Sequence, residues 1–137
     1  MIEAREGGDL LRVVVIDTRP ERRLLVRHLV ASTGVAATDI AEAANVEEAV
    51  ELLDREDRDV VVVEIQMPVS LGLETVAALR NRSSGLRIVV CSFTCDAATK
   101  ALALANGADA YLDKPVSAFS LKGLLLEYAA CLRDQRV

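Results

Sequence analysis

A doubly wound α/β domain, built on one five-stranded parallel sheet with helices on both faces, is the fold class this sequence predicts. Three observations predict it. Five short apolar runs recur at residues 11–16, 38–43, 60–65, 86–91 and 108–112. The strongest of them, VVVI and VVVVEI, are continuous and β-branched rather than alternating, as strands buried on both faces are. Segments with helical spacing separate the runs, giving five strand and helix units in alternation.

Taken in order, the first strand (11–16) leads into a helix whose start is marked by Thr18 with Glu21, a capping spacing that makes Thr18 the N-cap. The second run (38–43) is weaker, and Asn45 with Glu48 repeats the capping spacing after it. The third (60–65) and fourth (86–91) runs follow, and Asp96 precedes the fourth helix. Asn106-Gly107 supplies a left-handed stop before the weaker fifth run. Ser117 then opens a last helix, in which Leu121, Leu124, Leu125, Tyr128, Ala129 and Leu132 follow a three-four spacing and mark the inward face. Residues 1–9 are charged and glycine-containing and read as a loose tail, leaving 10–134 as one domain.

Composition narrows the function. A chain of 137 residues fits one domain able to bury about two thirds of its unfolded surface. Although 52% of residues are hydrophobic, no apolar run nears the roughly 20 residues of a membrane span, so no membrane association is expected. A net charge of −5 and 3% aromatic residues argue against nucleic acid, which demands cations and stacking surfaces. Cys91, Cys95 and Cys131 form no CxxC pair and sit in or beside apolar segments, so a reducing cytoplasm and plain packing roles are expected. His28, alone of its kind, lacks the partners a zinc site needs and reads as a packing or surface residue.

In doubly wound sheets chemistry gathers beyond the carboxyl ends of the strands. Asp17 and Thr18, Glu64 and Gln66, Ser92, and Lys114-Pro115 occupy those ends. The segments VVVIDTRP, VVVVEIQMPVSLGLE and GADAYLDKP, with Met67-Pro68 and Gly72 at fixed offsets from Glu64, resemble the three site motifs of response-regulator receiver domains. The resemblance spans residues 10–132. It implies the flavodoxin-like (βα)5 fold with strand order 2-1-3-4-5.

By the same resemblance Glu64 stands where the family has its phosphate-accepting aspartate. Asp17 matches the first metal-binding acid and Thr18 the second, so one metal carboxylate is missing. Gln66 matches the position whose main-chain carbonyl binds the metal. Ser92 keeps the switch hydroxyl, Lys114 the phosphate-pairing cation, and Tyr111 the aromatic of the switch, while Pro115 is expected to follow a cis bond. Glutamate carries its carboxylate about 1.5 Å farther than aspartate. Misplacement on that scale costs on the order of a hundredfold in rate, so conventional phosphorylation is expected to be poor. Magnesium, held by Asp17 and Glu64 alone, is expected to bind weakly or not at all, and no other cofactor is expected.

The expected function is that of an atypical, stand-alone, non-enzymatic receiver in the cytoplasm, acting through protein contacts. The family's output surface is formed by the fourth helix, fifth strand and fifth helix. Here Ala97, Ala98, Ala101, Leu102, Leu104 and Ala105 make the fourth helix more apolar than one buried face requires, which suits a protein partner or a homodimer. The alternative is a phosphotransfer receiver that retains magnesium-dependent phosphorylation from a histidine kinase or small phosphodonor. A flavodoxin-like cofactor binder ranks last, because IDTRPERR lacks the glycines of a phosphate cradle.

Overall fold

A computed structural model describes residues 11–35, 40–65, 69–92 and 96–136, the side chains of 69 and 133–136 excepted. The elements alternate throughout: β1 (Val13–Ile16), α1 (Pro20–Ser32), β2 (Ile40–Ala43), α2 (Val46–Arg55), β3 (Val60–Glu64), α3 (Val69–Arg82), β4 (Arg87–Ser92), α4 (Ala97–Ala105), β5 (Ala110–Asp113) and α5 (Ala118–Arg136). All neighbouring strands are parallel, in the order β2-β1-β3-β4-β5. That is the fold expected from the sequence. The tail expected at 1–9 lies outside the described residues.

The unbroken valine runs explain the layers. Successive side chains of a strand point to opposite faces. Val13, Val15, Val60, Val62 and Val89 therefore pack with Val30 of α1 and with Leu121, Leu125 and Tyr128 of α5. Val14, Ile16, Val61, Val63, Ile88 and Val90 pack on the other side with Ala49 of α2, Val76 and Leu79 of α3, and Ala103 of α4. Each such valine is almost wholly buried, and each contributes about 1.5 kcal/mol or more of apolar stabilisation.

Helix ends largely follow the local signals. Asn45 caps α2 by accepting the Glu48 N–H at 2.9 Å, and Asp96 caps α4 by accepting the Ala98 N–H at 3.1 Å. Ser117 Oγ accepts the Ser120 N–H at 3.0 Å below α5. Gly107, with φ of 118°, ends α4 in a conformation that a side chain rarely adopts. At Gly72 a Cβ would lie 2.7 Å from the Ile65 side chain, so glycine lets α3 close onto β3.

The first helix departs from expectation. Thr18 is not its N-cap: that position belongs to Arg19, whose side chain makes no capping bond. Pro20 is the reason. It has no N–H and its fixed φ suits the first helical position, which moves the helix start one residue on and leaves Thr18 exposed in the approach. Asp17 takes over the local bonding, its Oδ1 accepting the Arg19 N–H at 2.9 Å.

A candidate receiver site at the carboxyl rim

Register places the acids side by side. Ile16 pairs with Val63, so Asp17 and Glu64, the next residue on each strand, emerge together at the carboxyl rim. The Asp17 residue is 3% exposed and the Glu64 side chain 4%, so both carboxylates are largely removed from water. Asp17 is also fixed through its main chain, whose carbonyl accepts a bond from Arg23 Nη1 at 2.8 Å; Arg23 is in turn paired with Glu42.

Two cations meet Glu64. Lys114, just beyond β5, is anchored by its N–H to the Ser92 carbonyl at 2.8 Å, and from there its ammonium crosses the end of β4 to pair with Glu64 Oε1. Arg22, from the first turn of α1, donates Nη1 to the same oxygen at 3.1 Å. The Lys114-Pro115 bond is cis. Ser92 is fully buried, with its hydroxyl 3.4 Å from the Ile65 carbonyl. A cleft of about 540 Å³ opens beside the acids, lined among others by Thr18, Asn45, Glu47 and Thr75.

The two carboxylates titrate apart. Burial, and then the hydrogen bond with Glu64, push Asp17 up to about 6. Burial acts to raise Glu64 as well, but the hydrogen bond with Asp17 and the positive charges of Lys114 and Arg22 outweigh it and hold Glu64 below its ordinary value. In mildly acid solution the proton therefore resides on Asp17, and Glu64 is the anion.

Residues 13–125 match the response regulator receiver domain family. The chain belongs to that family. The receiver is 36% identical over 118 residues to the nitrate/nitrite response regulator protein NarL of Escherichia coli (strain K12), a match covering 86% of this chain and 54% of NarL. It thus spans about half the length of that relative. Among solved structures, Vibrio cholerae chemotaxis protein CheY4 superposes with a TM-score of 0.74 at 25% identity, covering 87% of the receiver and 98% of CheY4. The Saccharomyces cerevisiae complex of the phosphotransfer protein Ypd1 with the receiver domain of Ssk1 gives a TM-score of 0.75, covering 90% of this chain and 92% of the matched one; at 18% identity the likeness is of fold alone. Receivers of this family serve two-component phosphorelay signalling.

Asp17, Glu64 and Lys114 of this receiver converge, as their strand-end positions led one to expect. Tyr111 is half-buried on β5 against the core layer that holds α3 and α4. Gln66, Met67, Pro68 and Cys95 lie outside the described residues. Burial pushes the Cys91 thiol up to about 12, which makes it a packing group, and His28 is exposed on α1. No helix is long and apolar enough to cross a membrane among the described residues.

The family's magnesium does not fit the described side chains well. No group of three or more acids, histidines or cysteines is placed to hold a metal among the described residues. Thr18 is exposed and brings a hydroxyl in place of a carboxylate, and Glu64 Oε1 already receives two nitrogen donors. Arg22 is the site residue that sequence reasoning missed. Its signal was the arginine pair in the first turn of a helix, where a cation opposes the helix dipole unless an anion faces it.

Proposed function

We propose that this chain is an atypical receiver that passes its signal through protein contacts, independent of conventional aspartyl phosphorylation. One observation carries the reading: Glu64, at the position matched to the family's phosphoacceptor, is a buried anion whose Oε1 is engaged by both Lys114 and Arg22. The glutamate reaches about one methylene beyond an aspartate, into the space between these cations. In-line transfer needs a carboxylate oxygen free to attack and a metal to neutralise the phosphoryl oxygens. Here one of the two Glu64 oxygens, Oε1, is committed to Lys114 and Arg22, and the position of the second metal acid holds Thr18.

The contact surface proposed is α4-β5-α5. On α4 only Thr99 and Ala103 are buried, whereas Leu102 and Leu104 are 51% and 42% exposed, beside exposed alanines at 97, 98, 101 and 105. A partner protein or second copy covering this face gains apolar burial. Ser92, buried at the end of β4, and Tyr111, half-buried on β5, are the proposed switch positions. A second reading, in which the site still exchanges phosphate with a histidine kinase or phosphotransfer protein, draws on membership of the receiver family and on the Lys114–Glu64 pair.

Intact-mass measurement after incubation with a small phosphodonor and magnesium separates the two. The first reading expects no phosphoryl adduct on the wild type, little with Glu64→Asp, and more with Glu64→Asp combined with Thr18→Asp. An acyl phosphate on wild-type Glu64 overturns it.

A further inference from the structure

The acidic cleft poses a charge problem that its family solves with a divalent ion. Here two carboxylates, Asp17 and Glu64, lie buried side by side at the rim. Lys114 answers one of them. The second cation is Arg22, and its position has no local justification. It is the third residue of α1, where a positive charge opposes the helix dipole, and its side chain is 32% exposed although its guanidinium is drawn inward to Glu64 Oε1. Its neighbour Arg23 is already engaged by the Asp17 carbonyl and by Glu42.

We propose that Arg22 is a positioning residue that supplies the cleft's fixed positive charge in place of a metal ion, holding Glu64 from α1 and excluding divalent cations. This rests on the reading of Glu64 as the occupant of the acceptor position. A cleft with Arg22 and Lys114 on the same carboxylate oxygen is already neutralised, and a divalent ion entering it meets two cations and no second acid at Thr18. The state of the module is then set by the chain itself, without a change in magnesium.

Binding of Mn2+, followed by the loss of its free-ion electron paramagnetic resonance signal, tests this in six proteins: wild type, Arg22→Gln, Thr18→Asp, and Thr18→Asp combined with Arg22→Gln, Arg22→Met or Arg22→Lys. Wild type is expected to bind negligibly and Thr18→Asp weakly. Adding Arg22→Gln or Arg22→Met to Thr18→Asp is expected to tighten binding about tenfold or more, whereas Arg22→Lys, which restores the charge, is expected to leave it weak. Arg22 stands outside both core layers, and thermal melts confirm that each variant folds.

Equal Mn2+ affinity with and without Arg22, or binding by Arg22→Lys as tight as by Arg22→Gln, overturns the proposal. Phosphoryl labelling of wild-type Glu64 overturns the underlying reading instead. Because the metal series requires no phosphodonor, the two failures are distinct.

Discussion

The two rims of the sheet use the same residue types to opposite ends. At the amino rim Asp109 accepts the Ile88 N–H at 2.8 Å and pairs with Arg80 at 2.7 Å, and Arg80 also donates to the carbonyls of Gly107, Ser83, Ser84 and Leu86. Asp59 likewise accepts the Arg12 N–H at 2.8 Å. Charge there is spread over main-chain groups that need partners, so it closes the turns into β4 and β5. At the carboxyl rim two acids face each other, and two cations converge on one oxygen of Glu64. The first arrangement spends charge on holding backbone. The second concentrates it, which is how a site is poised to respond.

The largest expected effect tests that concentration. Lys114→Met leaves the Glu64 anion buried with Arg22 as its remaining named cation, and a loss of about 4 kcal/mol in urea unfolding is expected, in the range found when one partner of a buried pair is removed. A loss under about 1 kcal/mol would mean that the pair is effectively solvated.

The next effect is a pH dependence with an unusual sign. Asp17 moves from 3.8 to about 6 on folding, so between those values the native state binds more protons than the unfolded one. Stability then falls as pH rises from about 4 to 6, by up to about 3 kcal/mol for a shift of this size. Glu64, held below its ordinary 4.5, acts oppositely, and its contribution is lost only as pH falls beneath that value. Asp17→Asn keeps an acceptor for the Arg19 N–H and should flatten the slope between pH 4.5 and 6, read from urea unfolding at several pH values. An unchanged slope would assign it to other groups.

A smaller loss is expected at the opposite rim. Arg80→Ala removes bonds to four carbonyls, some of which water then solvates, and about 2 kcal/mol is the expected cost. Combined with Asp17→Asn, its effect should add within about 0.5 kcal/mol, because the two networks share no residue. Strong coupling between them would erase the distinction drawn between the rims.

What could be read from the sequence follows the same division. Strands were legible because burial on both faces demands continuous β-branched runs such as residues 60–63, and the resulting strand ends brought out Asp17, Glu64 and Lys114. Where strand ends sit is a matter of one-dimensional pattern. Arg22 was not legible in that way, since its reach to Glu64 depends on the rotational phase of α1, which Pro20 sets by moving the helix start. The weaker edge strand β2 was found with its end at Ala43, although its expected start at 38 lies outside the described residues.

The smallest expected effect concerns that same helix start. A threonine N-cap replaced by alanine typically costs about 1 kcal/mol, because one amide of the first turn loses its acceptor. Arg19 occupies the cap of α1 without any side-chain bond, Arg22 and Arg23 donate their N–H groups to its carbonyl, and the Arg19 N–H itself is satisfied by Asp17. Thr18→Ala should therefore change stability by less than about 0.5 kcal/mol, while Asp17→Ala, which removes the acceptor for the Arg19 N–H, should disturb α1. A full capping loss at Thr18 would return the helix start to the position its capping spacing suggested, and would with it change the phase that turns Arg22 toward Glu64.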